Sequence, residues 1–361
     1  MLMCEHYKPP DRYNEIVESQ LRETGFYYVS QIGVVQCQSA MVNALVERWR
    51  PETHTFHFSV GECAVTLEDV AMILGLPTNG LPVTGPTMSS FEALEAECLH
   101  QFGVAPRKTD CRGSFIKLTW FRGLKDRIVL NDDVHIQMAT RVDCKKIDGP
   151  LTLLLTWAWI QLPFLAPIPG NSRLFSIANR WRDWERENYG YRYTLLENYR
   201  RLLDDLQEGQ FVWQPYGIGD IDPDLIPLAI HHNLVLWSAR VPLISFECIE
   251  WHAIDRVMRQ FGMRQGVPTL EQDLGASHGE VLTGPKNEDW ANTHSSWVMQ
   301  WTNRYSHILS DDLVPLHYQL ESYMDWYRGA YGDHLQLSTL YSKRIQKVLS
   351  HHRHHHHYFF Q

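Results

Sequence analysis

The stretch from Arg48 to Gly85 constrains the fold more than any other part of this chain, because each local signal in it agrees with the next. Apolar residues at helical spacing over positions 41–49 predict a helix, and Pro51 ends it because proline has no amide hydrogen to donate. Residues 53–65 then alternate polar and apolar side chains on both sides of a glycine turn. This pattern predicts a small β-hairpin.

A capped helix is predicted after the hairpin. Thr66 and Asp69 have the spacing of a capping box, in which the two residues exchange side-chain to backbone hydrogen bonds. Gly75 is the expected left-handed end of that helix, and Pro77 prevents its continuation. Further prolines and glycines stand where the recognition helix of a helix-turn-helix would run, so this element is not expected to read a DNA groove.

Most of the remaining chain is predicted to be helical. The predicted helices are 11–24, 89–102, 194–208, 243–261, 290–308 and one that begins at Pro315. The apolar run 151–166 is too short to span a membrane and contains Pro163, so we expect a buried helix and its exit. The predicted fold class is mainly α: a single large helical domain with one small β-hairpin near residues 53–65, and a second extended piece at 211–214.

The 48–85 run resembles the signature of the plant mobile domain, an aminotransferase-like domain of maintenance-of-meristems-like proteins and of many transposon-encoded plant proteins. Further blocks of the same pattern follow the same order at 25–27, 151–167, 211–216 and 242–262, so the resemblance covers nearly the whole chain. The residues that match the signature are Arg48, Trp49, Pro51, Glu52, His54, Phe56, Gly61, Glu62, Thr66, Asp69, Gly75, Leu76, Pro77, Gly85, Trp157, Pro163, Phe164, Trp213, Pro215, Tyr216, Glu250, Trp251, His252, Asp255, Arg256, Gln260 and Phe261.

The resemblance implies a nuclear protein that acts in meristem maintenance, gene expression and transposon silencing, and it implies no known reaction. The implied partners are a phosphatase-like protein and other mobile-domain proteins. The expected organisation is an N-terminal extension at 1–20, the mobile domain at 21–332 and a C-terminal extension at 333–361 with a histidine-rich tail that forms no specific site. A non-enzymatic interaction domain is the leading functional prediction.

The chain departs from the family pattern after Met138. The pattern has several dozen further residues, including an aromatic-rich helix, between the helix that starts here at Asp132 and the block that starts near Arg141. In this chain the two blocks are joined directly, as a lost exon or a lineage-specific deletion would produce. Because neighbours of an absent helix must expose apolar surface or repack, we expect this shorter form to be less stable than a full-length relative.

Composition narrows the functional classes. The formal net charge of −9 and the pI near 6.1 disfavour non-specific nucleic-acid binding, which needs clustered Lys and Arg. The 7 cysteines are dispersed and form no CxxC pair, which predicts reduced thiols in a cytosolic or nuclear protein. The N-terminus lacks the features of a signal peptide, so secretion is not expected. The 13 tryptophans are interpreted as packing residues, with anchors for a protein partner as the alternative.

Signals for catalysis are weak. A metallophosphatase needs Asp, His and Asn ligands for two metals, and only the segments 219–222 and 277–280 faintly resemble such motifs. Pyridoxal-phosphate chemistry needs a shielded lysine, and Lys117, although it has apolar neighbours, has no glycine-rich phosphate cradle beside it. We therefore predict no catalytic, cofactor-binding or metal-binding residues. A degenerate enzyme is the third functional alternative, which a bound cofactor would favour.

His54 and His57, with Glu62 and Cys63, raise a zinc hypothesis. A separation of three on a strand puts the two rings on opposite faces, which argues against a shared metal.

His252, Asp255 and Arg256 form a second group, since on the predicted helix they would share one face. No candidate nucleophile stands beside them. A structural hydrogen-bond network is therefore favoured over acid–base machinery.

The best nucleic-acid candidate is the segment 173–201. Arg180, Arg182 and Arg186 recur there among tryptophans and tyrosines, a combination that can bind phosphates and stack on bases. Acidic residues are mixed in, so a solvated, salt-bridged helix face is the favoured interpretation. A nucleic-acid-associated, transposon-derived protein is the second functional alternative.

Overall fold

Short helices make up most of the regular structure. The computed structural model describes residues 15–33, 35–88, 90–112, 115–125, 151–182, 195–217, 221–268, 271–275, 287–309 and 321–339. The α-helices are Glu15–Glu23, Tyr27–Ser30, Ser39–Val46, Leu67–Asp69 with a π-helical continuation at Val70–Leu74, Phe91–Phe102, Leu118–Lys125, Leu151–Gln161, Leu196–Asp204, Leu228–His231, Trp290–Thr293, Ser295–Thr302 and Glu321–Tyr331. The mainly α class is confirmed.

A three-stranded antiparallel sheet lies where the hairpin was predicted. Its strands are β1 (Trp49–Arg50), β2 (Thr55–Phe58) and β3 (Gly61–Cys63), and a separate pair is formed by β4 (Cys111–Arg112) and β5 (Phe115–Ile116). The predicted helix over 41–49 ends earlier, at Val46, because Trp49 pairs with Phe56 in the sheet. All four residues of β2 are buried, so other elements cover both faces of this strand.

The predicted capping box is confirmed. Asp69 N donates to Thr66 Oγ1 at 3.4 Å, and Asp69 Oδ2 accepts from Thr66 N at 2.7 Å. Gly75 ends the π-helical turn with a φ of 69°. A Cβ atom at this position would lie 2.4 Å from Tyr28 Cβ, so both the backbone conformation and the space require glycine.

The predicted helix over 243–261 is wrong. Residues Val241–Ser245 (β6) and Cys248–His252 (β7) form an antiparallel hairpin, and the 3₁₀ turns Ile254–Arg256 and Met258–Phe261 follow it. Ile244 and Ile249, β-branched residues that favour strands, pack with Trp251 against the helix Ser295–Thr302. Packing between distant segments therefore overrides the helical spacing of the apolar residues.

Two further expectations also differ from the structure. The predicted helix over 290–308 is divided into Trp290–Thr293, Ser295–Thr302 and the 3₁₀ turn Arg304–His307. The expected extended piece at 211–214 forms no strand, and Val212 N donates instead to Gln161 O at 2.8 Å.

One predicted helix start is displaced by one residue. The helix predicted from Ser89 is capped by Ser90, whose Oγ accepts from Ala93 N at 3.0 Å. The starts expected at Thr194 and Pro315 lie outside the described residues, as does the junction after residue 138.

The apolar run at 151–166 forms a buried helix and its exit, as predicted. The helix Leu151–Gln161 has 11 residues and is followed by the 3₁₀ turn Pro163–Leu165. Across the described ranges, no helix has both the length and the apolar character needed to cross a bilayer.

Tryptophans fill the core, as predicted. Trp157 stacks on Phe56 with 5.1 Å between ring centroids, and Trp159 Nε1 donates to Gln38 Oε1 at 3.2 Å. The buried tryptophans are Trp120, Trp157, Trp159, Trp181, Trp213, Trp237, Trp251, Trp290 and Trp301. Most of this aromatic surface is therefore used for folding.

The fit of Gly75 can be tested by Gly75→Ala. We expect a loss of about 2 kcal/mol or more in the free energy of unfolding, because alanine disfavours the left-handed conformation and would contact Tyr28. Urea unfolding measures this loss. Gly80→Ala is the matched control, since a Cβ at Gly80 meets no atom within 4 Å. Equal stability of the two variants would contradict the assignment.

Candidate functional site

A buried carboxylate on β3 gathers side chains from distant parts of the chain. Glu62 Oε1 accepts from Arg256 Nη1 at 2.6 Å and from Thr55 Oγ1 at 3.2 Å. Glu62 Oε2 accepts from Tyr323 OH at 3.2 Å, and the same hydroxyl accepts from Glu62 N at 3.1 Å. His57 Nε2 lies 3.6 Å from Glu62 Oε1. The carboxylate thus connects the three-stranded sheet to the turn Ile254–Arg256 and to the helix Glu321–Tyr331.

The charges at this centre are compensated. Burial opposes ionisation of Glu62, but the His57 side chain and the Arg256 charge outweigh it and lower the pKa of Glu62. Burial also opposes the charge of Arg256, and the Glu62 carboxylate outweighs that effect and raises the pKa of Arg256. Burial lowers the pKa of His57, so its imidazole is neutral at pH 7. Glu62 and Arg256 therefore form a buried ion pair.

A second buried ion pair joins Arg48 to Asp204. Arg48 Nη2 donates to Asp204 Oδ1 at 2.5 Å and to Arg200 O at 3.2 Å. The Asp204 carboxylate also accepts from Leu337 N at 3.0 Å and from Ser338 N at 2.9 Å. The pair therefore holds a C-terminal segment beyond residue 332 against the signature residues.

Arg259 makes a third set of contacts. Its Nη2 donates to Val60 O at 2.5 Å, and its Nη1 donates to Glu208 Oε1 at 3.0 Å. The guanidinium carbon lies 3.5 Å from the centroid of the Trp213 ring, and Trp213 Nε1 donates to the same Glu208 oxygen at 2.9 Å. Gly61 has a φ of 125°, which favours glycine, and a Cβ atom there would lie 2.8 Å from Arg259 Nη2.

The capped helix is attached to Tyr216. The Tyr216 hydroxyl donates to Asp69 Oδ1 at 2.7 Å, while Asp69 Oδ2 accepts from Thr66. Burial raises the pKa of Asp69 to about 6, and burial together with the Asp69 charge raises the pKa of Glu68 to about 8. These two carboxyl groups therefore take up protons near neutral pH.

His252 contacts the same helix through its first turn. His252 Nδ1 lies 2.8 Å from Ala239 O, to which a ring nitrogen can only donate, and Nε2 accepts from Leu67 N at 3.1 Å. Burial lowers the pKa of His252 to about 4. The imidazole is thus neutral at pH 7 and satisfies an amide that the helix itself leaves unpaired.

The prediction that His252, Asp255 and Arg256 share one helical face is wrong. His252 ends β7, whereas Asp255 and Arg256 lie in a 3₁₀ turn. Asp255 Oδ1 lies 3.5 Å from Arg240 Nε, and Arg256 pairs with Glu62. Each of the three side chains therefore has its own structural partner.

His54 and His57 diverge, as predicted, but His54 precedes β2, so alternation along the strand is not the reason. His54 Nδ1 lies 2.8 Å from Glu250 Oε2, whereas His57 Nε2 lies 3.1 Å from Thr53 Oγ1. His54 also has a positive φ of 54° immediately before β2. Within the described ranges, no three His, Cys, Asp or Glu residues are grouped as metal ligands.

Other signature residues pair with backbone or pack on rings. Gln260 Oε1 accepts from Ala64 N at 2.8 Å, and Gln260 Nε2 donates to Ala64 O at 2.9 Å, so this amide satisfies the backbone just after β3. Trp49 contacts Phe56 edge to face, and Phe56 stacks on Trp157. Leu76, Phe164 and Phe261 pack against the main core.

Three signature residues line a cleft at the surface. This acidic cleft has a volume of about 330 Å³ and is lined by Pro51, Glu52, His54 and residues 271–275. A smaller pocket, which shares Glu52, His54, Glu271 and Gln272 with the cleft, is also lined by Trp251 and Arg256. Arg256 therefore contacts both this pocket and Glu62.

Two of the three arginines of the nucleic-acid candidate contact the protein itself. Arg180 Nε donates to Leu174 O at 3.4 Å. The side chain of Arg182 covers Gly33, where a Cβ atom would lie 2.6 Å from Arg182 Nε. Arg186 lies outside the described residues.

The residues considered for enzyme chemistry have ordinary structural contacts. Lys117 Nζ donates to Thr109 O at 2.6 Å, and Asp222 Oδ1 accepts from Asp224 N at 3.1 Å. Residues 218–220 and 276–286, which contain the rest of the two polar loops, lie outside the described residues.

Several contact residues could not be recognised from the sequence. Asp204 binds a residue 156 positions away, and no local pattern indicates that pairing. The tyrosine pair Tyr323 and Tyr327 could have been recognised, because residues four apart lie on the same face of a helix. Tyr327 OH donates to Phe58 O at 2.9 Å, so this tyrosine pair fixes the C-terminal helix to the sheet.

Comparison with known sequences identifies relatives over most of the chain. A family model described as plant mobile domain matches residues 25–141 and 133–328. A serine/threonine-protein phosphatase 7 long form homolog from Arabidopsis thaliana is 31% identical over 87% of this chain. The Arabidopsis proteins MAINTENANCE OF MERISTEMS and MAIN-LIKE 1 are 27% and 26% identical over 83% and 91% of the chain. No solved structure matches.

Each alignment covers only part of the relative's own length. They cover 28% of the phosphatase homolog, 76% of MAINTENANCE OF MERISTEMS and 74% of MAIN-LIKE 1. They extend over 387, 375 and 391 positions, more than the 361 residues of this chain, so each includes positions at which only the relative has a residue. The two matched segments of the family model overlap at 133–141, which contains the junction after Met138.

The buried ion pair can be tested by Arg256→Met. We expect a loss of about 3–5 kcal/mol in the free energy of unfolding, because Glu62 would remain buried without its cation. Urea unfolding should show a smaller loss for the double variant Arg256→Met with Glu62→Gln. Arg201→Met, at an exposed position, is the control. Additive losses in the double variant would contradict the pairing.

The buried His252 predicts a specific pH dependence. Its pKa is about 4 in the folded protein, against 6.5 for an exposed histidine. As the pH falls, the unfolded chain therefore binds a proton at His252 before the folded protein does. The contribution of His252 to the free energy of unfolding is fully present above pH 6.5, and it decreases by on the order of 3 kcal/mol as the pH approaches 4.

The variant His252→Gln isolates this effect, since glutamine can still accept from Leu67 N but does not titrate. Asp69, whose pKa is raised, contributes in the opposite direction: its contribution is lost as the pH rises through about 6. The wild type and the His252→Gln variant both carry Asp69, so its contribution cancels in the difference between their free energies of unfolding. The interpretation fails if that difference is constant between pH 4 and 6.5.

Proposed function

This chain belongs to the plant mobile domain family, and from that premise we propose that it is a non-enzymatic nuclear interaction domain. It supports meristem maintenance, gene expression and transposon silencing by binding other proteins. The names of the MAINTENANCE OF MERISTEMS and MAIN-LIKE 1 relatives support the biological setting.

One observation carries the proposal: polar signature residues serve as structural partners. Glu62 is paired with Arg256, Arg48 with Asp204, and the neutral His252 with two backbone groups. Residues of these types often act as catalysts, but here they hold distant segments together. A scaffold of this kind presents a fixed surface to a partner.

The proposed partners are a phosphatase-like protein and other mobile-domain proteins. This choice is supported by a relative that is named as a phosphatase 7 long form homolog and contains a region similar to this chain. The aligned region is 28% of that relative, so the activity in its name is not assigned to this chain.

Nucleic acid is the less favoured partner. Arg200, at the end of the candidate segment, donates from Nε and Nη2 to Glu47 at 2.7 and 2.5 Å. Because Arg200 is paired and the net charge is −9, little positive charge is left to attract the phosphates of a nucleic acid.

Affinity capture from plant nuclei tests the proposal. The tagged full-length chain should localise to nuclei and recover phosphatase-like and mobile-domain proteins after nuclease treatment. A Trp157→Ala bait, which loses a fully buried core residue, is the control and should recover neither. The proposal is overturned if nuclease abolishes capture, or if the chain binds DNA or RNA tightly at physiological salt and loses this binding on replacement of Arg180, Arg182 and Arg186 by Gln.

A further inference from the structure

We propose that Asn79 is a site of spontaneous deamidation and that Arg304 directs this reaction toward isoaspartate. The modification does not depend on the proposed function. Asn79 precedes Gly80 in the only Asn-Gly pair of the chain. Asparagine is chemically labile, and because glycine has no side chain beside its amide nitrogen, that nitrogen reaches a preceding asparagine side chain with the least steric hindrance.

The reaction needs only water as a co-reactant. Hydroxide removes the proton of Gly80 N, this nitrogen attacks Cγ of Asn79, and the side-chain amide takes a proton from water and leaves as ammonia. The new N–Cγ bond closes a succinimide ring. Water then opens the ring, at Cγ to give aspartate or at the main-chain carbonyl carbon of residue 79 to give isoaspartate. In isoaspartate the chain continues through Cγ, and the former main-chain carbonyl becomes a free carboxylate.

The structure leaves both reacting groups free. Asn79 and Gly80 are exposed and lie outside regular secondary structure. Within the described ranges, neither the Asn79 side chain nor Gly80 N forms a hydrogen bond. A Cβ atom at Gly80 would meet no atom within 4 Å, so the space beside this peptide group is open. The Asn79 side chain can therefore turn back onto the peptide nitrogen without displacing a neighbour.

The carbonyl oxygen of the same peptide group is held by a guanidinium. Arg304 Nη2 donates to Asn79 O at 3.3 Å, and Arg304 Nη1 donates to Trp301 O at 3.1 Å. Arg304 Nε is buried and has no hydrogen-bond partner in the part of the chain that the structure describes. The guanidinium thus contacts Asn79 O while one of its donors stays unused.

This contact favours one of the two products. When water attacks the main-chain carbonyl carbon of residue 79, negative charge develops on the oxygen that Arg304 Nη2 contacts. A guanidinium is always charged at neutral pH and stabilises such an oxyanion more than a neutral donor does. In isoaspartate the same oxygen belongs to the new carboxylate, which can pair with Arg304. The aspartate product carries its charge on the side chain, which Arg304 does not hold.

Conversion to isoaspartate changes how this loop is attached to the core. The main chain gains one carbon atom between the carbonyls of Asn79 and Gly80, which accept from Arg304 and Trp301. Trp301 Nε1 donates to Gly80 O at 2.9 Å, and its ring is buried in the main core. The lengthened loop must therefore rearrange or give up one of these two hydrogen bonds.

Asn171 provides a comparison within the same protein. It is exposed, as Asn79 is, and it is followed by Ser172. Its side chain is held, because Asn171 Oδ1 accepts from Arg173 N at 3.0 Å. Ser172 also carries a Cβ atom beside the nitrogen that would attack. Asn171 should therefore react more slowly than Asn79.

Peptide mapping by mass spectrometry tests the site on the purified full-length chain, incubated at mildly alkaline pH while tryptophan fluorescence confirms that it stays folded. We expect Asn79 to be converted about tenfold faster than Asn171. Gly80→Ala should slow the conversion of Asn79 by about tenfold, because the methyl group hinders the attacking nitrogen and meets no other atom of the fold. Equal rates at Asn79 and Asn171, or in the wild type and Gly80→Ala, would overturn the assignment of the site.

The ratio of isoaspartate to aspartate at position 79 tests the role of Arg304. Methylation by an isoaspartyl methyltransferase measures this ratio in the same peptide. We expect Arg304→Gln to lower the ratio by about threefold, because a neutral donor replaces a charged one. Arg304→Lys, which keeps the charge, should restore most of the ratio. Arg328→Gln removes the same charge at an exposed position and should leave the ratio unchanged.

The unfolded wild type in urea gives the ratio without any contact from Arg304. A folded wild type with that same ratio would show that Arg304 does not direct the reaction, as would equal ratios in Arg304→Gln and Arg304→Lys. Loosening of the loop alone changes the rate of both products together, so the ratio separates the charge of Arg304 from a purely structural role.

Discussion

The structure depends on one electrostatic constraint: the carboxylate of Glu62 is buried and must have a cation beside it. An isolated buried carboxylate costs several kcal/mol, so the sheet can close only when Arg256 is in position. That requirement couples β3 to a turn nearly two hundred residues later in the chain. Tyr323 adds a third segment, because its hydroxyl contacts both the side chain and the amide of Glu62.

The same constraint recurs at Arg48 and Arg259, and it explains how helices this short form a stable fold. Isolated helices of about ten residues are marginal in water, so their stability must come from tertiary contacts. Arg48 fixes the helix Leu196–Asp204 and the segment after residue 332 through Asp204, and Arg259 fixes the segment around Glu208 and Trp213. Loss of one such contact removes support from several helices together.

Local signals were sufficient where the structure is local. Thr66, Asp69 and Gly75 act within a single helix, and their spacing alone predicted its cap and its end. The segment 243–261 was predicted wrongly because strand pairing depends on a partner, and the apolar positions of β6 and β7 also fit a helical spacing. Similarly, family resemblance named Arg48, Glu62 and Arg256 as signature residues, but no sequence pattern showed which atoms they contact.

The distribution of arginine also determines what kind of surface remains. Arg48, Arg256 and Arg259 are buried, each against an acidic residue, so each pair contributes no net charge to the exterior. Arg200 is held by Glu47 in the same way. The net charge of −9 therefore comes from the charged residues outside these pairs. These four arginines hold segments of the fold together, so their charges are not available to bind phosphates.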